Sequence, residues 1–315
     1  MKRFILKIAL FVAPLLLLLY PMDYYFSKSL KETAMAQGEY EVWNDIFHAS
    51  VDADVAIYGS SRAWVHINPQ ILEDSLNRSA YNLGIDGQNL WMQMLRHQQY
   101  LAHNPYPEVI IHSLDVFTLE PRINDYNNYN NDQFLPYLFW HDYFEDTDLL
   151  PPIYDKYDHC VPMLRYQNRG MRVLLSMIPH YKKGPLRTRG FVANEATWNT
   201  DFDKAREERG SYEVVIDSAT VALFREYLAD CQQKNIQVVL VYSPEYIEGQ
   251  HFVSNRQELF TLLNDIATEF NLPFLDYSSH EMCLNRSYFY NAIHLNATGA
   301  NHFSRILAHD LKPLL

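Results

Sequence analysis

The sequence predicts an α/β protein built on a central five-stranded parallel sheet. Three observations point there: short apolar runs alternate with amphipathic stretches, glycine-bearing turns follow the first two runs, and 48% hydrophobic content in 315 residues is ample for a large core. In chain order, Lys2, Arg3 and Lys7 come first, ahead of an uncharged run from Ile8 to Tyr20 that includes five consecutive leucines. A basic end followed by such a run is an export signal. Counted from Phe4 the segment is 17 residues long and from Ile8 it is 13, so length alone does not separate a membrane anchor from a signal peptide. The bulky Pro21-Met22-Asp23-Tyr24-Tyr25-Phe26 makes a poor cleavage region, and Ser27-Lys28-Ser29 is the one tolerable tripeptide. The reading favours an uncleaved inner-membrane anchor over residues 1–25, with its basic end cytoplasmic and the remainder of the chain facing the periplasm or exterior. A cleaved, secreted form is the alternative.

A polar connector is expected over residues 26–50. The first strand is then residues 54–58, followed by Gly59-Ser60-Ser61, and the second is residues 80–83, ending in Gly84-Ile85-Asp86-Gly87. Residues 109–114 make the third strand, 237–242 the fourth and 273–276 the fifth. Between them, Val221, Phe224, Leu228 and Cys231 share one helical face, as do Leu259, Leu262, Ile266 and Phe270. Strands alternating with helices imply parallel pairing through crossover connections. Residues 120–212 break this rhythm with an Asn-rich run at 124–132, an aromatic run at 134–140 and a basic run at 182–189. They read as an insertion between the two parts of the domain, residues 51–119 and 213–315. Starting after the third strand, where loops of an open sheet border the ligand crevice, it could form a lid or a sugar-binding wall. A helical elaboration with buried aromatics is the plainer alternative.

Composition excludes several classes. The formal net charge of −12, with no basic stripe, argues against nucleic acid as a partner. Cys160, Cys231 and Cys283 are odd in number and widely spaced, which fits packed thiols better than disulfides or a metal site. The chain has no HExxH, Walker A or GxGxxG motif, so no metal or nucleotide cofactor is implied.

The chemistry-bearing residues are Ser61, in the turn after the first strand, and His294, in Asn291-Ala292-Ile293-His294-Leu295-Asn296. A serine hydroxyl is a poor nucleophile until an imidazole takes its proton, and the imidazole needs a partner on its other nitrogen. Asn291 is spaced to be that partner. The order Gly-x-Ser, glycine turn and x-x-His-Leu-Asn resembles the SGNH (GDSL-like) hydrolases, over roughly residues 52–118 and 214–315. The resemblance implies a flavodoxin-like three-layer sandwich and a Ser-His-Asp triad that cleaves or transfers acyl esters. It is nearest in kind to exported or membrane-anchored relatives that add or remove O-acyl groups on envelope glycans. It makes Ser61 the nucleophile, with its own N–H and that of Gly87 as oxyanion donors.

The pattern departs from the family in two places. Leu114, in His112-Ser113-Leu114-Asp115, stands where the family has a donating asparagine, a loss worth about 10²- to 10³-fold in rate. Asn291 stands where the family has aspartate, a change that costs a serine protease about 10⁴-fold in turnover. Asp115, Glu245 and Asp276 lie at strand ends from which they could supply the missing charge. Arg62 either binds an anionic substrate group or pairs with a structural carboxylate, and Asn296 and Thr298 suit a helix cap near Gly299. The function implied is an exported serine esterase or O-acyltransferase. A scaffold or glycan-binding protein on the same sheet, its chemistry lost, is the alternative.

Overall fold

The computed structural model describes residues 1–33, 36–123, 133, 135–138, 149, 156–167, 170–178 and 186–315. The Asn-rich run at 124–132 therefore lies outside the described residues, as do residues 134 and 139–140 of the aromatic run and 182–185 of the basic one. Helices α1 (Lys2–Lys31) and α2 (Glu39–Phe47) precede β1 (Val55–Gly59). Strand β1 leads to α3 (Ser61–His66) and α4 (Pro69–Leu76), then to β2 (Ala80–Asn82), α5 (Leu90–His103) and β3 (Val109–Leu114). Short helices α6 (Leu135–Leu138), α7 (Lys156–Cys160) and α8 (Gly170–Ser176) follow. Next come α9 (Asp201–Arg209), α10 (Ser218–Gln233), β4 (Gln237–Tyr242), α11 (Ile247–Phe252) and α12 (Arg256–Glu269). The last elements are β5 (Phe274–Asp276) and α13 (Ala297–Leu311).

The strands form one parallel sheet in the order β2-β1-β3-β4-β5. This is the flavodoxin-like order, whose ligand crevice opens where the winding reverses, outside the carboxyl ends of β1 and β3. One face carries Val55, Ile57, Ile111, Val239 and Val241 against Ala63 of α3, Leu72 of α4 and Phe303 and Leu307 of α13. The other face carries Tyr58 and His112 against the rings of Phe224 and Tyr227 on α10 and of His97 on α5. Both faces are covered, so the strands read as unbroken apolar runs rather than alternating ones.

Gly59 makes the close approach that the site needs. Its φ is 142°, and a Cβ there would sit 2.6 Å from the Ser113 carbonyl oxygen. Only glycine lets the end of β1 pass so near β3 before the chain turns into α3. The stripe expected on α12 is displaced by one residue: Leu259, Leu263 and Ile266 are buried, while Leu262 and Phe270 are half-buried. Tertiary contacts fixed which of the adjacent leucines turned inward.

The chain divides into two compact units, residues 1–44 with 124–186 and residues 45–123 with 187–315. The sheet belongs to the second. In the first, α1 changes character along its length. Phe4, Leu6, Leu10, Phe11 and Leu17 are exposed, whereas Asp23, Ser27, Ser29 and Leu30 are buried. Arg165 donates to both carboxylate oxygens of Asp23 at 2.6 Å and to Ser27 at 2.9 Å, and Ser29 donates to the Ser176 carbonyl at 3.1 Å. Within this helix the stretch Leu10–Lys31 holds 18 consecutive residues of mean hydropathy 1.4, and it is long and apolar enough to cross a membrane by length and composition. All three cysteines are free thiols, with Cys231 and Cys283 buried and Cys160 exposed.

Candidate active site

The first βα turn presents Ser61 at the start of α3. Ser60 is the N-cap: its Oγ accepts from the Arg62 N–H at 3.3 Å and donates to the Asp115 carboxylate. Asp115 in turn accepts the Phe117 N–H at 2.7 Å, so one carboxylate ties the β1 turn to the β3 turn. As the first residue of the helix, Ser61 has no intrahelical acceptor for its own N–H.

His294 arrives from the other end of the sequence, in the loop between β5 and α13. Its Nε2 lies 2.8 Å from Ser61 Oγ, and both residues are partly exposed. Asn291 Oδ1 accepts from His294 Nδ1 at 3.0 Å and also from the backbone N–H groups of Ile293 at 3.1 Å and His294 at 2.9 Å. Three donors converge on that one oxygen, which fixes the amide orientation. Nδ1 therefore carries the hydrogen, and the Nε2 lone pair faces the serine hydroxyl. The Tyr290 ring stacks on the imidazole with centroids 5.2 Å apart and planes 4° apart. Loss of solvation, and then the nearby Arg62 guanidinium, push the His294 pKa down to about 3.

The remaining residues singled out in the sequence fall into different places. Gly87 occupies the turn after β2 with φ 62°. Leu114 is wholly buried and brings no donor to the end of β3. The Arg62 guanidinium is buried and committed: it donates to the Ser243 carbonyl, to Ser243 Oγ at 3.1 Å and to Glu245 at 3.2 Å, and lies over the Tyr242 ring. Glu245 is held by Arg256 as well and accepts from the Tyr242 hydroxyl at 3.1 Å, so it is the structural partner of two arginines. Asp276 is exposed at the sheet edge and accepts the Ser278 N–H at 2.9 Å. Among these carboxylates none takes the place of Asn291 on His294 Nδ1. Asn296 caps α13 by accepting the Gly299 N–H at 3.0 Å.

Sequence reasoning missed His66. This fully buried residue at the end of α3 accepts the Leu295 N–H on Nε2 at 3.0 Å and donates from Nδ1 to Ser243 Oγ at 2.7 Å. It thereby pins the backbone immediately after His294. Burial, and next the Arg62 charge, hold its pKa well below the usual histidine range, which keeps Nε2 free to accept. Its only sequence signal is position, five residues after Ser61, and that signal is weak.

No family model matches the sequence, and no curated protein matches it either. Solved structures do. An acetyl xylan esterase is 13% identical with a TM-score of 0.40, the match covering 83% of this chain and 99% of that one. A GDSL-like lipase from Bacteroides thetaiotaomicron is 13% identical with a TM-score of 0.40, over 83% of this chain and 88% of the lipase. Likenesses this distant transfer no substrate. What this chain itself shows is a five-stranded parallel α/β sheet with a serine in the first βα turn and a histidine loop ahead of the last helix.

Proposed function

We propose that this chain is an exported, membrane-tethered serine esterase or O-acyltransferase acting on acyl esters of envelope polysaccharide. The observation that carries the chemistry is the 2.8 Å contact from Ser61 Oγ to His294 Nε2, with Asn291 on the far nitrogen. In this reading Ser61 attacks the ester carbonyl as its proton passes to Nε2. The Ser61 and Gly87 N–H groups receive the developing oxyanion. The imidazolium then protonates the departing alkoxide, leaving an acyl-serine. Water resolves it in an esterase and a sugar hydroxyl in a transferase: His294 takes the acceptor's proton and returns it to Ser61 Oγ as the acyl–serine bond breaks.

The tethered form is supported by α1. The candidate cleavage tripeptide Ser27-Lys28-Ser29 lies inside the helix, and both serines are buried. Cutting there would also remove Asp23 and leave Arg165 as a buried charge without its carboxylate, a loss of about 3–5 kcal/mol. The glycan substrate rests on the export signal together with the family resemblance.

The competing reading, a scaffold or glycan binder that has lost its chemistry, has two observations in its favour: the buried Leu114 side chain donates nothing, and His294 Nδ1 is held by the neutral Asn291. A fluorophosphonate probe on the full chain in lipid nanodiscs separates the two. The esterase reading expects labelling that Ser61→Ala abolishes and Ser60→Ala retains. Wild-type protein that labels no better than Ser61→Ala favours the scaffold.

A further inference from the structure

Proton transfer from Ser61 puts a positive charge on His294, and the described residues around that ring bring no negative charge to meet it. Ser61 and Asn291 are neutral, and Arg62 is a cation whose field opposes the imidazolium. His66 stands edge-on with its centroid 6.1 Å away, kept neutral by burial and then by Arg62. The electron-rich group against the imidazole is Tyr290. Its ring lies parallel to that of His294, with planes 4° apart and centroids 5.2 Å apart. Neutral rings in this offset arrangement attract modestly, and protonation adds the pull of the negative π face on a cation within about 6 Å of its centroid.

Tyr290 is held in that attitude at both ends. Its backbone N–H donates to the His294 carbonyl at 3.1 Å, and its own carbonyl accepts the Asn199 N–H at 2.8 Å. At the far end of the side chain, the hydroxyl is hydrogen-bonded to the Asn194 side chain. Asn194 and Asn199 belong to residues 120–212, the stretch that the family resemblance leaves unmatched. That stretch is itself fastened here, because the Asn194 carbonyl accepts the Ala297 N–H at the start of α13 at 2.7 Å and Asn194 Oδ1 accepts the Ala196 N–H at 2.9 Å. The returning segment thus grips the tyrosine from the side away from the imidazole, and the ring face is left to His294.

We propose that Tyr290 is a positioning residue for the reaction: it holds the His294 imidazole flat against its ring and steadies the imidazolium through its π face, replacing part of the charge that a triad carboxylate would supply. The assignment deepens the esterase reading and rests on it. The positive charge appears as the Ser61 proton reaches Nε2 and vanishes when the imidazolium passes that proton to the departing alkoxide. The ring therefore acts on the barrier and leaves substrate binding alone. An attraction of this kind changes a rate by about 3- to 30-fold.

The test replaces Tyr290 in the full chain, in nanodiscs, by leucine, by phenylalanine, and by mono-, di- and trifluorinated phenylalanine. Fluorine drains the π face while changing the ring's shape little, so the series moves with electrostatics and is blind to packing. With p-nitrophenyl acetate, Tyr290→Leu should lower kcat by about 3- to 30-fold, Tyr290→Phe should recover most of that loss, and each added fluorine should lower kcat again at constant KM. The same series in the Asn291→Asp background, where the carboxylate brings the His294 titration nearer neutrality, is followed by NMR of labelled histidine. Its midpoint should fall with each fluorine. A midpoint indifferent to fluorination overturns the proposal, and so does a series that raises KM while kcat stays fixed. A midpoint that falls along the series in a protein that cleaves no ester upholds the hold of Tyr290 on the imidazolium and strikes out the esterase reading instead. The fluorinated rings keep the test decisive if the leucine variant fails to fold.

Discussion

Asn291 holds the imidazole of His294 through a neutral carbonyl, and its effect divides into orientation and charge. The loss of about 10⁴-fold in a serine protease whose triad aspartate becomes asparagine comes from the wrong histidine tautomer. Here the amide is locked by the Ile293 and His294 backbone N–H groups, so the tautomer is the productive one. What is missing is charge to stabilise imidazolium. Asn291→Asp should therefore raise kcat/KM for an acyl ester by about 10- to 10³-fold, short of the full protease figure. The pH profile should move with it. With its pKa pushed down to about 3, wild-type His294 is a neutral base throughout the weakly acidic range, and no titration near the ordinary histidine value of about 6.5 should show in kcat/KM. A carboxylate at residue 291 favours the protonated imidazole, so the acid limb should rise toward neutrality in the variant. Unchanged rate and profile would count against the dyad as the working site. His66 belongs to the same scale, since it fixes the N–H of Leu295 and sets its ring edge-on against the His294 imidazole, centroids 6.1 Å apart. His66→Phe should lower kcat by up to about 10²-fold through loop misplacement while leaving KM in place. A proportional rise in KM would instead mark it as part of the binding surface.

Elements place these side chains, and α13 shows how. Asn296 accepts the Gly299 N–H at 3.0 Å and donates to the Ser287 carbonyl at 2.7 Å, so the helix cap also fastens the loop that delivers His294. Asn296→Ala should cost about 1 kcal/mol in a urea titration. It should also loosen the dyad, measurable as a lower labelling rate in protein that is still folded. A loss of stability with labelling unchanged would separate the cap from the site. How much of this could be read from sequence follows from the range of the interactions. Strands β3 and β4 were expected at 109–114 and 237–242 and occupy those residues, because each is a covered apolar run bounded by turn residues. The spacing from Asn291 to His294 is local, and it too was legible. The bonds of His66 to Ser243 and Leu295 span 177 and 229 residues, and no local pattern encodes them. The same holds for α1. Hydropathy ends at Tyr20, yet the helix runs to Lys31 because Asp23, Ser27 and Ser29 find partners in residues 165–176.

At the scale of the whole molecule, the helix-covered sheet buries histidines as neutral groups, and this sets how the protein meets acid. His66, His97 and His112 are buried, and all have pKa values lowered chiefly by lost solvation, that of His112 to about 3. In the unfolded chain each titrates near 6.5, so below that pH the unfolded state binds more protons than the folded one. The stability they permit is intact above about pH 6.5 and is lost as pH falls toward the folded values, by at most about 1.4 kcal/mol per pH unit for each histidine. Together the group can remove about 4 kcal/mol per unit, against a total stability for typical domains of about 5–15 kcal/mol. Asp230, lowered to about 2 first by the His97 imidazole 3.6 Å away, adds loss of the same sign at lower pH. One effect opposes these. The net charge of −12 relaxes toward neutrality as pH approaches the isoelectric point near 5.5, which eases self-repulsion. That relief is spread over exposed, screened carboxylates, while the histidine penalty falls on desolvated sites, so the penalty should win. The melting temperature by circular dichroism should fall steeply from pH 6.5 to 5, and loss of ester hydrolysis should coincide with loss of ellipticity, since His294 remains a neutral base in the folded protein. A melting temperature that stays level or rises across that interval would mean that the buried imidazoles accept protons without unfolding the sheet.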